Sequence, residues 1–407
     1  MKLRALGTFL LVGLLLVPLA WMVLNGPKIA YFELAGGLLA ATCLAIKRQP
    51  MAWLRALPIL LCGLVYAVCA YVIREPRDLF PYQAAILLLF YGCLTGLCLR
   101  RLSRDGQQTA VSLSLLCFSI AMGAVALVIL AAAGPDRVVS EASFGAEMSR
   151  SNSASESSSV YYLQIFSITN IIIGIIPFTL FGLSTFPILL TERSRTLRLG
   201  VLCALVLAAY VNIQVATRTT LAACLISSAV IIALVIRAVP FRRRILFGGS
   251  LIALGVGGYL YATRNKDIFQ FLAHRFTDVS EDSRLVIWRE ALGILANTPE
   301  GSGIRRLTAH VWAHNLFLDV GLADGWIALA AMIAFCTVAL FFAWRTTREP
   351  DFSKSGTNII VLGWMISGLL ALMVLPPLLP ILAMLYVGAA YFAPYRTSRA
   401  EFAYQQA

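Results

Sequence analysis

The stretch LGTFLLVGLLLVPLAWMVL, residues 6–24, runs nineteen positions without a charge. As an α-helix rising 1.5 Å per residue it measures about 28 Å, close to the thickness of a hydrocarbon core. Lys2 and Arg4 precede it, as basic residues precede the apolar core of a signal peptide. This apolar core is longer than a signal peptide uses, and no small-x-small cleavage site follows, so it reads as a helix that stays in the membrane. Comparable runs recur along the chain, at 29–46, 54–73, 81–99, 109–133, 162–190, 199–215, 219–236, 245–262, 325–344, 358–373 and 377–394. With the first, read as 5–24, they make about twelve spans. Of the 407 residues 59% are hydrophobic and 13% charged. Polar surface on a soluble fold cannot cover so much apolar side chain, so lipid must be part of the solvent. The runs do not alternate with period two, which argues against a β-barrel. The expectation is an all-α polytopic membrane protein.

Charge sets the expected orientation. With the N-terminus inside, the inner segments hold KRQP (47–50), RRLSR (100–104), ERSR (192–195), FRRR (241–244) and RTTR (345–348). Of 33 basic residues 20 fall on that side, against 5 of the 20 acidic ones; the outer side has 13 and 14, and Glu33 sits within a span. A Lys/Arg bias of this kind marks the cytoplasmic face, so both termini are expected there. The net charge of +13 is therefore a topological signal and gives no reason to expect a nucleic-acid partner.

The nine cysteines all fall in apolar spans and form no CxxC. They read as small buried hydrophobes, with neither disulfides nor a metal cluster expected. Residues 1–262 read as a bundle of nine spans. It includes an external loop, 134–159, whose Ser-rich tract has the composition of a mobile spacer. Residues 263–324 form a second external segment with three helical patterns: DIFQFLAHRF (267–276), DSRLVIWREALGILANTP (282–299) and AHVWAHNLFLDVGL (309–322). In the middle one Leu285, Trp288, Leu292 and Leu295 recur at helical spacing as an amphipathic stripe. Asp278 or Ser280 can cap that helix, and Asn297-Thr298-Pro299 stops it. At about 60 residues the segment is small for an independent soluble domain and is expected to pack on the bundle. Residues 325–407 hold three further spans and a cytoplasmic tail.

Several external polar residues are not explained by composition. Arg218, in QVATRTTLAACL (214–225), meets the start of a span, where a charge costs roughly 2.5–3.5 kcal/mol at mid-depth and less near the interface. Arg284 opens the middle external helix. Arg305 and Arg306 follow the Gly-x-Gly of GSGIRR (301–306), and Arg74 and Arg77 lie in REPRDLF (74–80). Snorkelling, or pairing with Glu75, Asp78, Asp282 and Glu290, accounts for each one singly. Taken together they suit an anionic ligand such as a phosphate, because guanidinium offers bidentate donors in fixed geometry. His310 and His314, four apart, would share a helix face as zinc ligands do, but no Glu follows His310 and no external cysteine exists. His274 stands alone and reads as structural. His314 has Asn315 beside it and Asp319 five residues on. On residue type it is either a satisfied structural histidine or a group that takes a proton from a hydroxyl near neutral pH.

The order of these motifs is recognisable: TRTTL (217–221), then SRLVIW (283–288) leading to PEGSG (299–303), then HNLFLDVGLADG (314–325) opening the next span. The chain resembles the O-antigen ligase family and its relatives, the Wzy-type O-antigen polymerases and bacterial protein O-oligosaccharyltransferases, mainly over residues 165–345. One departure is Ala328, where members often carry a second glycine; Gly325 keeps the first position. The resemblance implies a GT-C-like fold in the bacterial inner membrane and an active site on the periplasmic side. It implies a glycan donor linked to undecaprenyl diphosphate and catalysis without metal or other cofactor. It makes Arg218 and Arg284 the family's two essential arginines and His314 its essential histidine, with Asn315, Arg305, Arg306, Arg74 and Arg77 as further candidates for substrate binding.

For a ligase the acceptor is a sugar hydroxyl of lipid A-core. For a polymerase it is a repeat unit on the same lipid carrier, and for an oligosaccharyltransferase a periplasmic protein. The compact external segment with SRxxxW and His-Asn favours the ligase. Arginines at the leaving diphosphate and a histidine base on the acceptor fit inverting transfer. The chain has no DxD and no GxxxxGK[ST] loop, in keeping with a donor that arrives already activated. A transporter of lipid or glycan is the reading from a different class. Against it, the sequence has no inverted repeat, and acidic residues are nearly absent from the spans.

Overall fold

The computed structural model describes residues 3–23, 29–46, 54, 56–73, 82–133, 177, 179–192, 194–215, 218–236, 239–245, 247–249, 252, 256, 260, 283–301, 307, 313, 315–349, 351–373 and 379–394. Among these residues it is helical, with no strand. The main helices are α1 Leu3–Val23, α2 Ile29–Ile46, α3 Leu57–Ile73, α4 Tyr82–Leu102, α5 Gln108–Ala133, α6 Arg195–Val215, α7 Arg218–Val235, α8 Ser283–Asn297, α9 Leu316–Thr347, α10 Gly356–Leu372 and α11 Leu379–Tyr391. A shorter apolar segment, Thr179–Thr191, precedes α6. Four runs among the described residues are long and apolar enough to cross a membrane: Leu3–Met22, Ile86–Val128, Arg195–Asn212 and Leu316–Thr347. The chain is a helical membrane protein. The expected sixth and ninth spans lie largely outside the described residues, and the loop 134–159 lies there entirely.

Ile86–Val128 is a hairpin. Helical backbone stops at Asp105 and Gly106, and Gly106 takes φ 77°, a left-handed conformation that only glycine adopts without strain. Packing contacts confirm the reversal and fix the direction of six helices. Gly92 abuts Tyr386 and Gly96 abuts Ala390, so α4 and α11 are parallel. Tyr391 Oη lies 2.7 Å from Asn358 Oδ1 and Gly388 abuts Met365, so α10 runs against α11. The Ser112 and Thr357 hydroxyls lie 2.8 Å apart and the Phe118 and Trp364 rings 6.1 Å apart, making α5 parallel to α10. Gly200 meets Leu116 and Gly123 meets Leu207, so α6 follows α5. The Phe335 ring lies 5.0 Å from Tyr386, and Thr346 Oγ1 donates to the Phe392 carbonyl at 3.5 Å, so α9 follows α11. Thus α4, α9 and α11 run one way and α5, α6 and α10 the other. Half of these approaches are made at glycine, which lets helix backbones come close in lipid.

One end of the bundle gathers the C-termini of α4, α9 and α11 with the N-termini of α5, α6 and α10. It is the basic end. Buried Arg100 donates to the Tyr391 carbonyl, and Glu349 takes both Arg100 at 3.7 Å and Arg104 at 3.5 Å. The core centres on buried Trp364, whose Nε1 donates to the Phe181 carbonyl at 3.3 Å. Glu33 is fully buried in α2, and neither of its carboxyl oxygens has a hydrogen-bond partner among the described residues. None of the nine cysteines forms a disulfide; seven are buried or half-buried, but Cys117 and Cys203 are exposed on helix faces, contrary to the expectation for all nine.

Candidate functional site

The opposite end of the bundle brings the motif segments together. α8 ends where the sequence stops it, at Asn297, and Thr298 Oγ1 donates back to the Ile294 carbonyl at 2.7 Å. The face it buries differs from the expected stripe. Ile287, Ala291 and Leu295 pack with Leu307, Ala313, Leu322 and Leu329, while Leu285 and Leu292 are 67% and 56% exposed. A helix that faces a protein core on one side and an apolar medium on the other carries leucine on both, so spacing alone cannot pick the buried side. Trp288, half-buried, donates its indole N–H to the Ala313 carbonyl at 2.8 Å. Arg284 is the second residue of α8, one turn before Trp288.

The turn after α8 locks onto α9. Pro299 accepts the Trp326 backbone N–H at 2.9 Å, a donor that an unbroken helix would direct to the carbonyl four residues earlier. The Trp326 indole donates to the Leu295 carbonyl at 3.2 Å. The break falls at Gly325, with φ 84° and ψ 178°, and opposite it Gly301 has φ 99°. A Cβ at Gly301 would lie 2.6 Å from the Gly325 nitrogen, and one at Gly325 would lie 2.6 Å from the Glu300 carbonyl oxygen. Pro299-Glu300-Gly301 and the glycine of LADG therefore form one backbone-to-backbone contact that admits no side chain.

α9 begins at Leu316, nine residues before the expected span, because Asn315 caps it. Asn315 is extended (φ −149°, ψ 118°) and its Oδ1 accepts from the Phe317 and Leu318 N–H groups at 3.1 and 3.3 Å, an N-cap of the ordinary kind. Its Nδ2 donates to the Met373 carbonyl at 3.0 Å, satisfying one of the carbonyls left open at the end of α10. Asp319, 1% exposed, reaches back: Oδ1 accepts the Ala313 N–H at 2.6 Å and Oδ2 the Asn315 N–H at 3.0 Å. The helical pattern expected over 309–322 fails at Ala313 and Asn315, neither of which is helical.

Arg218 is the first residue of α7. α6 leaves the basic end and finishes at Val215, three Cα links of 3.8 Å from Arg218. Arg218 therefore sits at the same end of the bundle as Asn315 and Met373. Two residues on, the Thr220 hydroxyl is buried with no hydrogen-bond partner among the described residues. The structure thus brings together the segments bearing Arg284, Asn315 and the end of α10, and puts the start of α7 at the same end. The side chains of Arg218 and Arg284 lie outside the described residues. So do His314, His310, His274, Arg305, Arg306, Arg74, Arg77 and the capping candidates Asp278 and Ser280. Among the described residues no group of three or more His, Cys, Asp or Glu could hold a metal ion. Sequence reasoning missed the Gly301–Gly325 contact and the Met373 carbonyl; only the glycine spacing hinted at the first.

No protein-family model matches the chain, and no curated protein sequence matches it significantly.

Proposed function

We propose that the chain is a glycosyltransferase of the O-antigen ligase type. In this reading it is a twelve-span, GT-C-like protein of the bacterial inner membrane with both termini in the cytoplasm. On the periplasmic side it moves O-antigen glycan from undecaprenyl diphosphate to a sugar hydroxyl of lipid A-core. The observation that carries the reading is the junction of motif segments 25 residues apart: Trp288 of SRLVIW holds Ala313, next to His314-Asn315. Arg218 begins a helix at the same end of the bundle.

The chemistry follows from these residue types. The acceptor oxygen attacks the anomeric carbon from the face opposite the diphosphate, and the bond from that carbon to the diphosphate oxygen breaks. The electron pair leaves with the phosphate, and the hydroxyl proton passes to His314. Configuration at the anomeric carbon inverts. A positioned base of this kind contributes about 10²–10⁴-fold. Arg218 and Arg284 offset the negative charge growing on the leaving diphosphate, with bidentate geometry that lysine cannot reproduce. Leu285, Val286 and Leu292 are exposed on α8 beside the site, with exposed Arg289 among them, a mixture suited to lipid-linked anionic substrates that approach sideways through the bilayer.

Arg218→Lys and Arg284→Lys should each lower kcat/KM by about tenfold or more, the loss expected when a charge-assisted bidentate contact becomes a single one. An Arg284→Lys protein with normal rate and donor affinity contradicts the phosphate role. Labelled glycan should finish on lipid A-core; label that finishes on undecaprenyl diphosphate as longer chains would make the protein a polymerase.

A further inference from the structure

We infer that Asp319 is a positioning residue whose carboxylate sets the strap carrying His314; this rests on the reading of His314 as the proton acceptor. Asp319 lies in the first turn of α9 and is nearly inaccessible. Both its oxygens are spent on the strap, Oδ1 on the Ala313 N–H and Oδ2 on the Asn315 N–H. These donors belong to the residues on either side of position 314. The same two residues are held from elsewhere: the Ala313 carbonyl by the Trp288 indole of α8, and the Asn315 side chain by the Met373 carbonyl at the end of α10. Three elements therefore meet on the two neighbours of His314.

The residue type is specific to this work. A carboxylate accepts two backbone N–H groups at once through charge-assisted bonds. An amide of the same shape can accept only one and turns a donor toward the other. Asn315 already satisfies the first free N–H groups of α9, so helix capping alone does not require Asp319. What Asp319 adds is a fixed place for the Ala313 and Asn315 N–H groups. Trp288 extends the arrangement, because it stands one turn from Arg284 and ties the arginine helix to the strap. Misplacing a reacting group by about 1 Å can cost on the order of 10²-fold in rate, which gives such a clamp a direct catalytic consequence.

The test uses purified full-length Asp319→Asn, Trp288→Phe and His314→Ala proteins with lipid-linked glycan and lipid A-core. Asp319→Asn and Trp288→Phe should each lower kcat by about 10- to 100-fold, with donor KM within about twofold of wild type. Loss of fold alone would lower the amount of active protein and leave kcat per folded molecule unchanged, so rates are taken per folded molecule from thermal unfolding of each sample. Wild-type kcat in both Asp319→Asn and Trp288→Phe, with His314→Ala inactive, overturns the positioning role while leaving the base intact. Full activity in His314→Ala overturns the underlying reading instead. If Asp319→Asn does not fold, Trp288→Phe decides: reduced kcat at unchanged KM supports the clamp, and unchanged kcat overturns it.

Discussion

Gly325 is the residue whose replacement has the most predictable outcome. Its φ of 84° with ψ of 178° belongs to a region essentially reserved for glycine, and holding another residue there costs about 1–3 kcal/mol. The Cβ would also meet the Glu300 carbonyl oxygen at 2.6 Å. Gly325→Ala should therefore lower the thermal unfolding midpoint in detergent, whereas Gly293→Ala, exposed on α8 with open space at its Cβ, should not. Glu33 gives the opposite sign. A buried polar group without a partner costs about 1–3 kcal/mol, so Glu33→Leu should raise the midpoint; a fall would mean that the carboxyl has work in the fold. Little of this was legible beforehand. The sequence marks Gly301 and Gly325 as turn formers, but which carbonyl each approaches depends on two segments 24 residues apart meeting in space.

Helices were easier to read than their edges. α8 stops at Asn297 as its Asn-Thr-Pro signal requires, because Pro cannot continue the hydrogen-bond ladder and the residue before it avoids helical backbone. α9 starts nine residues before the expected span at 325 and takes in two aspartates, Asp319 and Asp324, a residue type rare in membrane helices. Asp319 is tolerated there because its charge is consumed by two backbone N–H groups. The buried face of α8 is harder to read for a different reason: Leu285 and Leu292 face outward beside exposed Arg289, so apolar residues lie on both sides and periodicity does not single out the buried one. The lock between α8 and α9 predicts a local effect. Trp326→Phe, which removes the indole donor to the Leu295 carbonyl, should speed amide exchange in α8 and leave α10 unchanged. Equal acceleration in both would show that Trp326 supports the bundle as a whole.

Across the whole molecule, the 59% hydrophobic content points to lipid as solvent, and the lack of period-two alternation in the apolar runs points to helices. The reversals between α4 and α5, between α9 and α10 and between α10 and α11 also follow from the chain, because a short connection between successive helices turns the chain back. The arrangement of neighbours, such as α4 against α11, does not: nothing local in the sequence encodes which apolar faces meet. Under the proposed topology, a single cysteine at Asn297 should be labelled by an impermeant maleimide from the periplasm and one at Lys354 should not. The reverse pattern would invert the molecule. Transfer should also persist in EDTA, because leaving-group charge is assigned to Arg218 and Arg284; loss of activity restored by a divalent ion would contradict that assignment. The most direct test of the central claim is a reconstituted reaction of wild-type and His314→Ala protein with purified lipid-linked glycan and lipid A-core. The account predicts that wild type yields glycan-bearing lipid A-core and undecaprenyl diphosphate in equal amounts and that the variant yields neither. Transfer by the variant at the wild-type rate, or the absence of any covalent product from wild type, would contradict it.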